Sequence, residues 1–466
     1  MADVSTPQAS ALEQPRFWTL DRIADALGGG PRGPTAIARL STDTRHVAPD
    51  SCFVALAGES FDAHDFLADA VAKGAIALVV NDARRATNLG VPVFEVADTL
   101  TALGVLARYR RRVWGRPVVG VVGTNGKTST KELLRAALGG ALRVHATTGN
   151  YNNLVGVPLT LFALPDDADI AVIEMGTNHP GEVATLRVIV EPDVVVVTSI
   201  AEEHLEGLVD LAGVLREEVS GCKGVPLAVV PSAQPEIAVA AKPLARRTIT
   251  AGLDDGEFRP AAWGIEPDGQ GWLELNGVRV RVPLRGVHNL RNAMLAIAVA
   301  RESGVSLEAI ARGIGAMPAP PMRVNFETHG GVTLINDAYN SNPGSARVAL
   351  ELLEHAGAQR QRVAVLGTML ELGDHADRLH DEVARAALDS PIELVVGVGG
   401  FADALRRVAP DDARAAAGAD PASAWEAVRS RVALDAVILL KGSRGVRLEQ
   451  LVPVISMWAA AARSSS

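Results

Sequence analysis

Val118-Val119-Gly120-Val121-Val122-Gly123-Thr124-Asn125-Gly126-Lys127-Thr128-Ser129-Thr130 decides the fold of this chain. Its first five residues are apolar and mostly β-branched, which predicts a buried strand. A glycine-bearing turn follows, and Lys127-Thr128 open a stretch, Lys131-Glu132-Leu133-Leu134-Arg135, of helical composition. Strand, tight turn and helix in that order build a phosphate cradle. Small residues let backbone N–H groups converge on an anion, and the helix N-terminus adds positive potential. Lys127 is placed to reach β/γ-phosphates and the Thr128 hydroxyl to ligate Mg²⁺. The spacing departs from strict GxxxxGK[ST]: Val121 stands where the first Gly belongs, flanked by Gly120 and Gly123. The strand before and the helix after carry the match. Gly123, Thr124, Asn125, Gly126, Lys127, Thr128 and Ser129 are the candidate nucleotide-binding loop.

At 466 residues the chain has room for about three domains. Apolar residues make up 48% and charged residues 21%, the balance of an ordinary globular protein. Aromatics are only 4%, so the cores must be built from Val, Leu, Ile and Ala. A net charge of −9 argues against nucleic acid as a main partner, since phosphate backbones are bound by clustered Lys and Arg. The run Arg108-Tyr109-Arg110-Arg111-Arg112 is a local exception, expected to form one solvated helix face. Cys52 and Cys222 are too few for a disulfide framework or a zinc site, which fits a reducing compartment. No basic region followed by an apolar stretch opens the sequence, and no apolar run reaches the ~18–20 residues needed to cross a bilayer. The expectation is a cytoplasmic monomer without a membrane span.

Residues 1–15 are expected to form a disordered tail. A first domain, 16–113, carries short strands near 52–56, 76–80 and 91–96 and helices near 66–72 and 100–111. Trp114-Gly115-Arg116-Pro117 reads as a linker. The second domain, 114–321, holds the phosphate loop and two more buried-strand candidates, near 170–174 and 194–199. Within it, residues 271–282 alternate apolar and polar around Asn276-Gly277, a hairpin signal. Met317-Pro318-Ala319-Pro320-Pro321 is a second linker, because stacked prolines resist helix and central strand. In 322–466, strands near 332–335, 362–366, 394–398 and 436–440 alternate with helical stretches and imply a second parallel sheet. Residues 451–458 read as a closing helix. The fold class is α/β in three domains, with a central P-loop ATPase domain and a C-terminal, Rossmann-like doubly wound domain.

Further segments occur in order along the chain. Gly149-Asn150-Tyr151-Asn152-Asn153 with Gly156-Val157-Pro158, Glu174-Met175-Gly176-Thr177-Asn178, and His204-Leu205-Glu206-Gly207 lie in the second domain. His288-Asn289-Leu290-Arg291-Asn292-Ala293, Asn336-Asp337-Ala338-Tyr339-Asn340-Ser341-Asn342-Pro343, Met369-Leu370-Glu371-Leu372-Gly373 and Lys441-Gly442-Ser443-Arg444 follow. Together these segments resemble the Mur ligase family, over nearly the whole chain after the tail. The Tyr-Asn-x-Asn-Pro and Met-Leu-Glu-Leu-Gly runs are similar to those of the type that joins D-alanyl-D-alanine to UDP-N-acetylmuramoyl-tripeptide. The resemblance implies a ligase of peptidoglycan precursor synthesis that uses ATP and Mg²⁺ and works through an acyl phosphate. Another ligase of the superfamily, such as a folylpolyglutamate synthase, and a non-catalytic nucleotide-binding protein are the alternatives.

Making an amide from a carboxylate needs an activated acyl group, and charge developing on a transferring phosphoryl group needs cations. Thr128, Glu174 and His204 suit that need, and matching family residues hold Mg²⁺. Glu174 ends an apolar strand, where an unpaired carboxylate is expensive to bury. Lys127, Glu174, His204 and Glu218 form the expected catalytic set. Glu218 enters by register. The family carries a lysine about fourteen residues after this histidine, converted by CO₂ to a carbamate that bridges metals, and Glu218 stands at that place here. A carboxylate presents the same two anionic oxygens on a shorter arm. The alternative is that Glu217 and Glu218 are solvated helix charges.

By resemblance, Asn289 and Asn292 approach the base and ribose of ATP, though Asn also caps helices. Asp337 is expected at the ribose and Arg323 at the phosphates, where a planar guanidinium binds oxyanions bidentately. Tyr339, Asn340 and Asn342 are expected beside the incoming dipeptide, although Asn and Pro also dominate turns. Lys441 and Arg444 are expected at a substrate carboxylate, with Asn150 and Asn153 as further substrate residues. Thr42 and Arg45, together with the stretch 58–66, resemble the UDP-sugar recognition region. Ala63, Met322, Asn336 and Thr368 stand where the family usually has Gly, Gly, Asp and an acidic residue.

Overall fold

The computed structural model describes residues 12–58, 61–266, 269–318 and 324–464. The first sheet is parallel and four-stranded, in the order β1 (Arg39–Ser41), β2 (Ser51–Val54), β3 (Ala75–Val80), β4 (Val93–Glu95). Of the expected tail, residues 1–11 lie outside the described residues. The Gln14 amide is tied to β1, donating to Leu40 O at 2.9 Å and accepting from Leu40 N at 3.0 Å.

Helix α1 (Thr99–Trp114) leads from this sheet to the next. Trp114, read as the start of a linker, ends the helix instead, and Gly115 caps it at φ 69°. The expected solvated arginine face holds for Arg108 and Arg112 but not for the two arginines between them. Arg110 is 1% exposed and Arg111 8%. Arg110 donates to Leu164 O and Asp166, and Arg111 to Val190 O, Glu191 O and Asp193. The reason is helical geometry: positions 108 and 112 share a face, whereas 110 and 111 point elsewhere. The outer pair, Arg108 and Arg112, both grip Glu191. The arginines thus pin the first sheet's helix to the second domain.

The second sheet is wholly parallel and six-stranded. Its strands are β5 (Val118–Val122), β6 (Val144–Ala146), β7 (Ile170–Glu174), β8 (Val194–Val197), β9 (Leu227–Pro231) and β10 (Arg247–Ala251), in the spatial order β10-β9-β8-β5-β7-β6. β5, β7 and β9 are buried along their whole length, as their unbroken apolar runs require of a sheet covered on both faces. Val118 and Val122 share a core with Leu103 and Leu106 of α1. Val119 and Val121 point the other way, into a core with Leu133 of α2 (Lys127–Gly139). Beyond α2 come α3 (Glu182–Val190) and α4 (Leu211–Val219). An antiparallel sheet, β11 (Ala262–Ile265), β12 (Gln270–Leu275) and β13 (Val278–Arg285), turns at Asn276 and Gly277, both at positive φ as such a hairpin needs. Helix α5 (Val287–Glu302) follows and its Leu290 joins the α2 core.

The third sheet has the order β14-β15-β19-β16-β17-β18, from β14 (Asn325–His329), β15 (Val332–Asp337), β16 (Arg362–Gly367), β17 (Leu394–Val398), β18 (Ala415–Gly418) and β19 (Val437–Lys441). Only the edge strand β14 runs antiparallel. Helix α6 (Pro343–Ala356) follows β15, and α7 (Leu451–Ser464) closes the chain, its Trp458 set edge-on to Trp425 at 5.3 Å. In both large sheets the strand order reverses at a central strand, β5 and β19. Ligand sites of open α/β sheets form beyond the carboxyl ends of the strands at such a switch. Here the two switch points face one cleft.

Candidate active site

The cleft has a volume of about 780 Å³ and runs from the β5–α2 loop to the ends of β15 and β19. Two glycines shape its phosphate end. Gly123 sits at φ 118°, and a Cβ there would collide with the Thr198 hydroxyl. Gly126 sits at φ 85°, where a Cβ would lie 2.8 Å from the Asn292 amide. No side chain caps α2, so its first N–H groups are open to an anion. Lys127 Nζ is folded back on the loop, donating to Gly123 O and, at 3.1 Å, to Thr124 O. Thr124 through Ser129 all line the cleft, whereas Gly123 does not.

β7 sits beside β5 and delivers Glu174 next to the loop, in register with Val121. Glu174 is 2% exposed. Thr128 Oγ1 lies 3.2 and 3.1 Å from its two oxygens, and Asn152 donates to Oε1 at 2.9 Å. Lys131 Nζ lies 4.0 Å from Oε2, while bonding Thr147 O at 2.8 Å. A carboxylate and a hydroxyl side by side are hard oxygen donors suited to Mg²⁺, which takes few protein ligands and completes its shell with phosphate and water. Among the described residues no group of three His, Cys, Asp or Glu is placed to hold a metal ion. His204 lines the same cleft but is held by its Nδ1 to Glu371 of the third domain. Burial, the largest single influence, pushes His204 down; the Glu371 and Glu203 carboxylates together outweigh it and the imidazole ends above its ordinary range.

Glu217 and Glu218 are not solvated helix charges: they are 8% and 1% exposed. Each has a separate task. Glu217 caps α3, accepting from Gly181 N and Val183 N at 2.8 Å. Glu218 accepts from Gly123 N at 2.7 Å, directly under the phosphate loop. Burial pushes the Glu218 carboxyl up, and the nearby Lys127 and the Gly123 N–H oppose that.

The opposite wall comes from the third domain and from α5. Asn289 and Asn292 line the cleft and bond each other at 3.3 Å. Burial pushes His288 beside them down to about 4, and its Nε2 lies 3.1 Å from the Asn289 amide. Asp337 ends β15 and pairs with Lys441 at 2.9 Å; Lys441 also donates to Asn340 O at 2.6 Å. Lys441, expected at a substrate carboxylate, lines the cleft but is engaged with its own wall, 3% exposed. Asn342 caps α6 through Ser345 N and exchanges amide hydrogen bonds with Asn125, at 2.8 and 3.2 Å. It is not among the cleft-lining residues, and neither is Arg444, whose guanidinium lies 5.7 Å from the Tyr339 ring. Tyr339 and Asn340 do line the cleft, as do Asn150 and Asn153. Asn153 in addition accepts from Gly156 N at 2.8 Å. Thr368, where an acidic residue is usual, accepts from Gly400 N at 2.9 Å.

Thr42 and Arg45 lie outside the cleft. Arg45 pairs with Asp43 at 2.7 Å and holds that carboxyl below its usual range. The Asp43 charge in turn helps raise the Tyr151 phenol, after burial, so this loop borders the Asn150–Asn153 segment. Arg323, Glu59 and Ser60, and the 319–321 part of the second linker, lie outside the described residues. Sequence reasoning passed over Lys131, Asn152, Glu203 and Glu371. Lys131 had a signal: it follows Lys127 by one helical turn, on the same face. Glu203 and Glu371 had none, because only the fold sets Glu203 against Asn340 and Glu371 against His204.

Three family models match successive parts of the chain. They are "Mur ligase family, catalytic domain" over residues 36–111, "Mur ligase middle domain" over 121–300 and "Mur ligase, glutamate ligase domain" over 322–444. The UDP-N-acetylmuramoyl-tripeptide–D-alanyl-D-alanine ligase of Bacillus subtilis is 32% identical, across 93% of this chain and 97% of its own. A crystal structure of MurF from Acinetobacter baumannii superposes with a TM-score of 0.86 at 31% identity, covering 96% of this chain and all of that one. MurF ligase from Thermotoga maritima in complex with ADP gives 0.78 at 26% identity, over 90% of this chain and 97% of that one.

Proposed function

Because this chain belongs to the Mur ligase family, we propose that it joins D-alanyl-D-alanine to UDP-N-acetylmuramoyl-tripeptide at the expense of ATP, in peptidoglycan precursor synthesis. The observation that carries this reading is the match, over 93% of this chain, to a UDP-N-acetylmuramoyl-tripeptide–D-alanyl-D-alanine ligase, combined with a cleft bounded by a phosphate loop and the Tyr339-Asn340 wall. The tripeptide carboxylate takes the γ-phosphoryl group and becomes an acyl phosphate. The dipeptide amine attacks the acyl carbon, the tetrahedral adduct expels orthophosphate, and the amine's proton leaves to solvent.

Lys127 leaves the loop carbonyls it now holds and pairs with the nucleotide phosphates, whose β/γ oxygens match its reach. The open N–H groups of α2 receive the same anion. Thr128 and Glu174 would hold Mg²⁺, with His204 as a further ligand after release from Glu371; the ion supplies charge neutralisation on the transferring phosphoryl group. Lys131 and Asn152 keep Glu174 aimed at the loop. Glu218 stands in for the carbamylated lysine of relatives and couples the loop backbone to the charges around Lys127. Asn289, Asn292, Arg323 and Asp337 receive the adenosine and phosphates, while Thr42, Arg45, Asn150 and Asn153 face the UDP-tripeptide. Holding three reactants in one closed cleft supplies up to ~7–11 kcal/mol of the barrier and shields the acyl phosphate from water. We assign the protein to the cytoplasm as a monomer, in domains bounded near residues 114 and 322. Among the described residues no helix is long and apolar enough to cross a membrane, and both cysteines are buried and free.

The test is ADP formation with purified UDP-N-acetylmuramoyl-tripeptide, with and without D-alanyl-D-alanine. With ¹⁸O in the tripeptide carboxylate, one label must appear in the released phosphate; phosphate free of label would rule out the acyl phosphate.

A further inference from the structure

We propose that Glu203 anchors the amino group of the incoming dipeptide, and so makes the site select a peptide with a free amine. This rests on the ligase reading above. Glu203 lines the cleft between the phosphate loop and the third domain, yet it is only 5% exposed. Its two oxygens differ. Oε1 accepts from the Asn340 amide at 2.5 Å. Oε2 is buried and makes no hydrogen bond; His204 Nε2 stands 3.7 Å from it. A buried carboxylate oxygen without a donor is unfavourable, so the position is poised for a ligand that brings one.

The surroundings fix the kind of donor. Asn340 belongs to the third-domain wall whose Tyr339 also faces the cleft. The hard-oxygen pair for a divalent ion is Thr128 with Glu174, and Asn340 already occupies one Glu203 oxygen. A single remaining oxygen suits one N–H donor better than the several oxygens a magnesium ion asks for. Lys127 is turned onto the loop carbonyls. The substrate, by contrast, arrives with an α-amino group that is largely protonated near pH 7, its ordinary pKa being about 7.7–8.0. An ammonium carries three donors and full charge. Set against Oε2, it would be held beside the tripeptide's activated carbonyl, and it loses one proton to solvent before its lone pair attacks.

The experiment is steady-state kinetics of Glu203→Gln in the full chain. Gln keeps the acceptor for Asn340 and replaces Oε2 by an NH₂ group that opposes an ammonium. The KM for D-alanyl-D-alanine should rise about 10-fold or more. The KM for ATP and the Mg²⁺ midpoint should stay within about twofold. Propionyl-D-alanine, which has the dipeptide's shape without its amine, should inhibit wild type and variant equally. A dipeptide KM within about twofold of wild type overturns the anchor, and so does a moved Mg²⁺ midpoint with an unmoved dipeptide KM. A second measurement needs no variant: calorimetry on the wild type should show propionyl-D-alanine binding about 10-fold more weakly than D-alanyl-D-alanine, and equal binding overturns the proposal. If the wild type turns over no D-alanyl-D-alanine at all, the ligase reading fails first, and that outcome differs from a working enzyme indifferent to Glu203.

Discussion

On the wall built by the second sheet, Lys127, Thr128 and Glu174 meet around an opening; on the wall built by the third, Lys441 and Asp337 are locked to each other. Both groups stand at the carboxyl ends of central strands, β5 and β7 in one sheet, β15 and β19 in the other. The difference lies in what each polar group can still accept. The α2 terminus has no side-chain cap, and the Lys127 ammonium satisfies itself on two carbonyls that a phosphate can displace. In the third domain Lys441, Asp337 and Asn342 have found side-chain or backbone partners within the protein. One wall is therefore prepared for a ligand, and the other is a scaffold that presents Tyr339, Asn340 and, across the seam, Glu203.

The largest effect that checks this contrast is on the prepared wall. Lys127→Ala should lower ADP formation about 10³-fold, in line with the loss of a major electrostatic donor to a transition state. Its melting temperature should stay close to wild type, since Lys127 supports only loop carbonyls. On the scaffold wall the expectation reverses. Lys441→Met leaves Asp337, about 15% exposed at its side chain, without its cation. Removing one member of a buried pair destabilises by about 3 kcal/mol, which thermal or denaturant melting will read. If Lys441→Met melts like wild type but weakens tripeptide binding, Lys441 is a substrate clamp and the contrast between the walls fails.

This contrast also explains what could be read from the sequence. The strand–loop–helix of Val118–Thr130 was legible because its signal is local: apolar run, glycines forced by collisions with Thr198 and Asn292, then a lysine opening a helix. Glu174 was legible because it ends a run of five buried residues. The contacts of Asn342 and Lys441 were not legible, because their partners, Asn125 and Asp337, lie 217 and 104 residues away. Edge strands β6, β14 and β18 escaped notice for a related reason. They are only partly buried, so they lack the apolar runs that mark the centre of a sheet. The arginines of α1 misled because charge in a sequence reads as solvent, whereas a guanidinium can also close carbonyl ends between domains.

Glu218 tests the contrast at finer scale. Its neighbour Glu217 is a helix cap, a structural task, while Glu218 bonds the Gly123 N–H under the loop. Glu218→Gln keeps an acceptor for that N–H and removes the charge. Activity should fall about 10- to 100-fold, as when a group supporting transition-state charge is neutralised. Rates of the wild type should not respond to removal or addition of bicarbonate, because no lysine awaits CO₂ at this place. Full activity in Glu218→Gln would make it a second structural glutamate beside Glu217.

The smallest effect concerns the seam itself, where His204 meets Glu371. Burial pushes His204 down most strongly of any single influence, but the Glu371 and Glu203 carboxylates together carry it to a net upward shift, and His204 holds Glu371 below its usual range. With its value raised by docking, His204 contributes fully below its ordinary 6.5, and the contribution fades as pH climbs through the raised value. Glu371, with its value lowered, contributes fully above its ordinary 4.5, and that is lost as pH falls through the depressed value. The pair therefore favours docking of the second and third domains most between pH 4.5 and 6.5. Because the Glu371 side chain is 50% exposed, solvent screening limits the gain to under about 1 kcal/mol. Fluorescence transfer between dyes on the two domains, in metal-free and nucleotide-free protein, should report a modest loosening as pH is raised from 6 toward 9. Glu371→Gln should flatten that response. A wild-type profile already flat over this range would mean that the seam is held by its uncharged contacts, Asn125 with Asn342 foremost, and that the ion pair forms only a passing part of it.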